Sequence, residues 1–390
     1  MELKKVLYLS FYFEPDLCAC SFRNSPLLKE LANQLEGNAT IDVLTTMPNR
    51  YSSFSSEAPE YEVFQNYELY RIAIPLHKSG MKDQIFSFRA YYKFAVKFSK
   101  NKKYDLVFAS SSRLFTAYLG YKIAKQQKIP LYLDIRDIFT DTMSDVLQSK
   151  IIKIVTLPIL NRIEKNIFNY ASHINLISGG FENYFKKYTN PNYSYFTNGL
   201  DSVFSESKKS EPKKSKIKVI TYAGNIGEGQ GLHKIIPQVA KQLGNQYRFN
   251  IIGDGGSKQK LIQEIKNLEI DNVVIIAPVK RNQLVEIYNQ SDFLFLHLND
   301  YKAFEKVLPS KIFELAAFDK PIIAGVAGFS REFMNKYISN VLLFSPGNVN
   351  EIVEKINNYN YKKEYRTSFV EEFKRETINK AMSKSIVKYL

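Results

Sequence analysis

The stretch LPSKIFELAAFDKPIIA, Leu308 to Ala324, decides how the chain is read. Ser310 is placed to cap a helix whose first turn carries Lys311 and Glu314. Phe313, Ala316 and Ala317 give that helix a buried face, and Asp319-Lys320-Pro321 stops it. A short apolar strand, Pro321 to Ala324, follows directly. The helix N-terminus offers N–H groups and partial positive charge to an anion, and Glu314, one turn in, is placed to accept hydrogen bonds from sugar hydroxyls. That combination suits a nucleotide diphosphate; an ordinary buried helix with a polar first turn fits the same residues.

Outward from this segment the same alternation recurs. Short β-branched and aromatic runs predict strands at 5–13, 41–45, 69–74, 106–109, 131–134, 174–177 and 193–196, with helices such as 26–35, 114–126 and 159–170 between them. A second series gives strands at 219–222, 249–252, 273–276, 293–296, 322–324 and 341–344, with helices at 232–243, 258–268, 282–289 and 331–337. Strand, helix and strand repeated in this way predict parallel sheets covered on both faces, an α/β chain of two Rossmann-like domains. The run SESKKSEPKKSK, Ser205 to Lys216, has no apolar residue able to anchor it and reads as the linker. The division is therefore 1–204, the linker 205–216, a second domain at 217–368, and a basic helix at 369–390 that crosses back to the first domain. Ligands bind at the carboxyl ends of the strands in such sheets, so function is sought in the strand-to-helix loops of a cleft between the domains.

The 390-residue chain carries 54 Lys and Arg against 39 Asp and Glu, a net charge of +15, which points to an anionic partner: nucleic acid, a membrane surface or a phosphorylated substrate. Two cysteines, Cys18 and Cys20, form no disulfide framework and fit a reducing, cytoplasmic setting. His77, His173, His233 and His297 show no metal-ligand spacing, so neither a metal nor a cofactor is expected. Lys4-Lys5 and VLYLSFYF read as a first buried strand rather than a signal peptide, because Glu14-Pro15-Asp16 breaks the segment. The apolar stretch from Ile151 to Ile163 is interrupted by Lys153, Pro158 and Arg162 and does not span a bilayer.

The loops hold the unusual residues. AGNIGEGQGL carries Asn225, Gly227 and Gln230, and GDGGS carries Gly253 and Gly255; both follow strands of one sheet, where glycines permit a close approach to an anion. Neither has dinucleotide or Walker A spacing. In the first domain Arg23, in the loop 14–24, is a phosphate ligand or a solvated charge. PLYLDIRD places Asp134, Arg136 and Asp137 at a strand end, as catalytic charges or as a structural ion pair. Asn198-Gly199 marks a turn at the domain boundary. The segment 84–103 is a basic amphipathic helix whose aromatic residues exceed one packed face, so it either meets an anionic membrane or is a core helix with a lysine-covered exterior.

Taken in order, YFEPDLCACSFR, LYLDIRDIF, LISGGFENYF, YFTNGLD, ITYAGNIGEGQGL, FNIIGDGG, YNQSDFLFLHL and LPSKIFELAAFDKPIIA resemble the retaining glycosyltransferases of family 4, with the GT-B fold, and within them the bacterial L-fucosamine transferase-like branch. The resemblance covers nearly the whole chain. It implies transfer of a sugar from a nucleotide diphosphate sugar, with retention and without an essential metal, to a lipid-linked saccharide in surface polysaccharide synthesis, at the inner face of the membrane. By the same resemblance Glu314 binds ribose hydroxyls. Gly227, Ser310 and Lys311 surround the diphosphate, and Val279 to Arg281 hold the base. Arg23, Ser111, Asp134 and Asp137 face acceptor or donor sugar. The chain departs from many members at Lys306, where they have glutamate, at Asn225 and Gln230, where they have arginine and lysine, and at Arg136-Asp137, where they have His-Asp. The double glycine of their first loop is missing around Cys18 to Cys20.

Two other classes fit parts of the chain. A nucleotide-sugar epimerase or hydrolase of the same fold would consume the donor without an acceptor. A basic nucleic-acid-binding protein would account for the charge, but no recognition helix or aromatic single-strand motif supports it.

Overall fold

The computed structural model describes residues 3–49, 57–75, 81–111, 114–147, 149–205 and 216–390. They form two compact units: Met1–Thr197 with Glu376–Leu390, and Asn198–Arg375.

In the first unit an eight-stranded sheet runs β3-β4-β2-β1-β5-β6-β7-β8. Its strands are β1 (Lys4–Ser10), β2 (Ala39–Thr46), β3 (Tyr61–Val63), β4 (Tyr67–Ile72), β5 (Leu106–Ser111), β6 (Leu131–Ile135), β7 (His173–Leu176) and β8 (Asn192–Ser194). All neighbours are parallel except β3 on β4, a short antiparallel edge with no counterpart in the sequence reading. Helices α1 (Ala19–Gln34), α2 (Met81–Ser99), α3 (Leu114–Gln127), α4 (Phe139–Val146), α5 (Lys150–Tyr170) and α6 (Glu182–Phe185) connect them.

The strand register builds two rows across this sheet. Tyr8, Phe108, Tyr132 and His173 are paired neighbours on β1, β5, β6 and β7. Their rings stack with centroids 4.4, 5.8 and 4.4 Å apart, a geometry in which aromatic pairs add to simple area burial. Two residues further on, the same face becomes polar: Ser10, Ser110, Asp134 and Asn175 stand side by side. A strand alternates faces with period two, so one face carries both the apolar core and the polar ends of the strands.

The second unit has a six-stranded parallel sheet ordered β11-β10-β9-β12-β13-β14, from β9 (Lys218–Asn225), β10 (Tyr247–Asp254), β11 (Val273–Ile276), β12 (Phe293–His297), β13 (Ile322–Gly325) and β14 (Val341–Phe344). Its helices are α7 (Ser202–Ser205), α8 (Leu232–Leu243), α9 (Lys258–Asn267), α10 (Arg281–Asn289), α11 (Lys311–Ala316), α12 (Gly328–Tyr337), α13 (Val349–Asn357) and α14 (Thr367–Glu372). Alternate residues of one strand feed opposite cores: Phe293 and Phe295 pack with Ile235, Val239 and Leu243 of α8, whereas Leu294 and Leu296 pack with Ile312, Phe313 and Leu315 of α11. Both units thus have the Rossmann-like architecture that the alternation predicts. In each, the strand order reverses at one place, between β1 and β5 and between β9 and β12, and a doubly wound sheet opens a crevice at the carboxyl ends of such a pair.

The boundary differs from the expected one. Residues 206–215 of the anticipated linker lie outside the described residues, but the chain on both sides of them belongs to the second unit. Leu200 and Phe204 are buried in its core, so the crossing falls after Thr197. Leu200 is held by hydrogen bonds from its N–H to the Phe373 carbonyl (2.7 Å) and from the Arg375 N–H to its own carbonyl (2.9 Å). Gly199 is required here, because a Cβ would lie 2.5 Å from the Arg375 Cα. The return crossing is at Arg375, where α15 (Arg375–Val387) begins; Met382 and Ile386 of that helix enter the core of the first unit.

Candidate active site

In the first unit, Arg23 and Asp134 are spent on each other. Arg23 lies one turn inside α1, which starts at Ala19, so it is not on the loop where the sequence reading places it. Its Nε and Nη2 donate to the two carboxylate oxygens of Asp134, each at 2.8 Å. Nη1 and Nη2 also donate to the carbonyls of Thr197 and Phe196, both at 2.8 Å. Asp134 further accepts from Ser110 Oγ (3.1 Å) and Asn175 Nδ2 (2.8 Å). Arg23 is 1% and Asp134 0% exposed, and a buried bidentate pair with all three guanidinium nitrogens bonded inside the protein is closed to a ligand. Burial alone would raise the Asp134 carboxyl, but the Arg23 guanidinium outweighs it and holds the group below its usual range. The expected roles of Arg23 as phosphate ligand and Asp134 as catalytic group are therefore replaced by a structural one.

The next two residues have different surroundings. Arg136 is buried, and its Nε and Nη1 find no hydrogen-bond partner among the described residues. Cys20, Asp134, Cys18 and Asp137 surround it electrostatically and keep it charged against the cost of burial. Asp137 is exposed to solvent, yet recessed enough that desolvation, opposed by Arg136, pushes its carboxyl up to about 7. A carboxyl poised there can take or give a proton near neutral pH. Ser111 ends β5 and is buried, its carbonyl accepting from the Arg136 N–H at 3.0 Å. The sequence reading's three charges thus split into one structural carboxylate and one Arg-Asp pair at the switch-point edge.

In the second unit the loop after β9 is a preformed turn. Asn225 Nδ2 donates to Gln230 Oε1 at 2.8 Å, and Gly227 lies against both side chains. The Asn299 N–H donates to the Gly229 carbonyl (2.8 Å) and its Nδ2 to the Glu228 carbonyl (3.0 Å). Gly253 and Gly255, expected to approach a ligand, let the two glycine-rich loops approach each other closely. A Cβ on Gly253, whose φ is +143°, would lie 1.8 Å from the Gly224 carbonyl oxygen, and one on Gly255 2.7 Å from that of Ile226. Glu228 draws Lys234 and Lys260 to the same edge, each at 3.3 Å, and Lys258 pairs with Asp254 at 3.7 Å.

His297 is a residue the sequence reading set aside for lack of metal spacing. It is buried at the end of β12, its Nδ1 2.7 Å from the Gln230 carbonyl and its Nε2 accepting from the Gly347 N–H at 3.0 Å. These partners require the neutral Nδ1–H form, and burial pushes the ring's pKa down to about 4. The side chain clasps the loop after β9 to the loop after β14.

Glu314 and Lys311 meet at the start of α11: Lys311 Nζ donates to Glu314 Oε2 at 2.7 Å. Burial opposes the Lys311 charge, but Glu314 and Tyr288 beside it more than offset this and hold the ammonium above its usual range. The Tyr288 hydroxyl is buried beside Lys311, and burial pushes it up to about 12 against the charge and hydrogen bonding of that ammonium. Tyr222, which also faces Lys311, donates its hydroxyl to the Asn225 carbonyl at 2.7 Å, so α11 and the loop after β9 share one edge of the sheet. The helix is shorter than anticipated, ending at Ala316, and Ser310 precedes it without a side-chain capping bond. Val279 packs against the core, and Arg281 is tied to Asp201 and lies over the Phe204 ring at 4.9 Å. Lys306 ends a short 3-10 turn, Lys302–Lys306.

Residues 203–376 match the family described as Glycosyl transferases group 1. Over 100 residues, 26% of this chain, the sequence is 30% identical to WcaI of Escherichia coli K12, assigned by name to glycosyl transfer in colanic acid biosynthesis; the match spans 24% of that relative. Among solved structures, sucrose-phosphate synthase from Thermosynechococcus elongatus aligns with a TM-score of 0.71 at 12% identity, covering 99% of this chain and 98% of that one. Anabaena HepE in complex with UDP-glucose aligns at 0.68 with 15% identity, over 98% and 99% of the two chains. At these identities the likeness is one of fold. Residues 203–376 thus match the glycosyltransferase group 1 model, in a chain whose two α/β units have the GT-B fold of those structures.

Proposed function

We propose that the chain transfers a sugar from a nucleotide diphosphate sugar, UDP-linked, to a lipid-linked saccharide acceptor in bacterial surface polysaccharide synthesis, with retention and without an essential metal. The observation that carries this reading is the Lys311–Glu314 pair on the same edge as the Asn225–Gly231 loop. A buried ammonium beside a preformed turn, with Lys234, Lys258 and Lys260 on the same edge, offers counter-charge to a diphosphate. Glu314 has a second carboxylate oxygen for ribose hydroxyls.

In this mechanism Lys311 stabilises the charge that develops on the leaving diphosphate as the glycosidic bond breaks. The acceptor hydroxyl attacks from the same face of the sugar, and Asp137, or the donor phosphate itself, takes its proton. Arg136 orients Asp137 and receives an oxygen of the bound sugar. Val279 and Arg281 border the base. The experiment is a thermal-shift series with UDP, GDP and ADP and their sugars, followed by product analysis with the donor that stabilises the chain. UDP-sugar consumption with no acceptor present would favour a hydrolase or epimerase, and no shift with any nucleotide would overturn the reading.

A further inference from the structure

Helix α5 (Lys150–Tyr170) has two halves of opposite design. From Leu160 onward the inward positions Leu160, Glu164, Ile167 and Phe168 are buried in the ordinary way. Before Leu160 the outward face is the apolar one: Ile151 is 76% exposed, Ile154 72%, Val155 60%, Ile159 56% and Ile152 51%. At 3.6 residues per turn, positions 151, 154, 155, 158, 159 and 162 fall on one side of the helix. Exposed Pro158 continues the stripe, and exposed Arg162 and Lys165 extend it toward the helix C-terminus. Lone exposed apolar residues need no explanation, but a contiguous group of β-branched ones marks an interaction surface.

The charge around this face selects its partner. Between Lys150 and Ile163 there is no Asp or Glu. The acid that follows, Glu164, is buried and bonded by Thr140 (2.6 Å) and Tyr184. Asp141 and Asp145, on the packed helix α4, are engaged with other groups. Lys150, Arg162 and Lys165 are exposed at the two ends of the stripe, and the chain carries +15. We propose that this face of α5 seats the protein on an anionic lipid surface, the isoleucines and Val155 entering the acyl boundary while Lys150, Arg162 and Lys165 meet headgroup phosphates. Among the described residues no helix is long and apolar enough to cross a membrane, so the contact is a surface one.

This assignment replaces the segment 84–103, whose aromatic residues prompted a membrane reading. Of that segment the side chains from Phe86 onward are described, and most of its aromatic rings are buried or half-buried against neighbours. Tyr91 is buried with its hydroxyl donating to the Leu44 carbonyl at 2.8 Å. Phe88 packs on Phe115, Tyr92 on Tyr118 and Phe98 on Tyr70. Phe86 alone of the described aromatics in α2 is strongly exposed, at 61%.

The test is sedimentation of the full chain with vesicles of phosphatidylcholine alone and of phosphatidylcholine mixed with phosphatidylglycerol, without donor or acceptor. The wild type should pellet with the mixed vesicles and far less with phosphatidylcholine alone. Ile151→Asp with Ile154→Asp should weaken vesicle binding about tenfold or more, while melting temperature and UDP affinity stay unchanged; Phe86→Asp should bind as the wild type does. Absence of binding by the wild type, or full binding by the double variant, overturns the proposal. So does a dimer on sizing that the double variant converts to a monomer with no vesicle binding, which would make the face a contact between copies. Vesicle binding without UDP binding would sink the donor reading and leave this surface standing.

Discussion

Arg23 and Asp134 stand 111 residues apart in sequence and are joined by two parallel hydrogen bonds of 2.8 Å in the core of the first unit. The pair fastens α1 to β6, and through the Phe196 and Thr197 carbonyls it also fixes where the chain leaves that unit. Breaking a buried pair by removing one member strands the other charge, at about 3–5 kcal/mol. Arg23→Met should therefore lower the unfolding free energy of the first unit, read from its urea transition, by that amount, while the folded chain keeps the proposed affinity for UDP. A selective loss of activity at unchanged stability would contradict the structural role.

Arg136 and Asp137 should behave in the opposite way. Asp137→Asn removes a proton acceptor without removing a packing group, so kcat should fall about 100-fold or more, with UDP affinity and melting temperature near those of the wild type. In the wild type kcat/KM should rise with pH through about 7 as the Asp137 carboxyl ionises, and the variant should lose that limb. A pH profile identical in both proteins would remove Asp137 from the reaction.

Glu314→Ala leaves the Lys311 ammonium buried without its carboxylate and takes away the group proposed to accept ribose hydroxyls. UDP affinity measured by calorimetry should weaken about tenfold or more, corresponding to a loss of about 1.4 kcal/mol or more. Unchanged affinity would refute the donor assignment.

His297 links pH to stability. Its folded-state pKa is pushed below the usual 6.5 to about 4, so the unfolded chain binds the proton more readily. The resulting stability is fully present above about 6.5 and is lost as pH falls through about 4, up to about 3 kcal/mol from this residue. His173, pushed to about 4 chiefly by burial, acts in the same direction. Melting temperature should therefore drop between pH 7 and pH 4. In His297→Ala, already weakened at pH 7 by the lost clasp, the further drop should be smaller.

How much of this was legible in the sequence depended on the range of the interaction. Strands 273–276 and 341–344 were placed to the residue, since apolar runs bounded by turns report directly on a doubly covered sheet. Glu314 and Lys311 were found together because they lie one helical turn apart. Arg23 and Asp134 each stand out as charges, but nothing local says that two charges 111 residues apart neutralise each other. The charged run at 205–216 looked like the boundary because linkers share its composition. The true crossing at Thr197 is set by Leu200 and Phe204 packing into the second unit, which only the tertiary structure shows. His297 gives no signal because its partners are a backbone carbonyl and a backbone N–H, which leave no mark on the pattern of side chains.

The double crossing, at Thr197 and again at Arg375, bears on the order of events on the ribosome. The second unit is one unbroken stretch of chain, Asn198–Arg375, and everything it packs is available once Arg375 has emerged. The first unit begins synthesis earlier but waits longer, because Met382 and Ile386, both fully buried in its core, are made only after the whole of the second unit. Until they arrive, the ladder of Tyr8, Phe108, Tyr132 and His173 lacks the edge contact that Tyr389 makes with its last two rings. A nascent chain stalled before Glu376 should therefore hold a finished second unit and an open, chaperone-dependent first one.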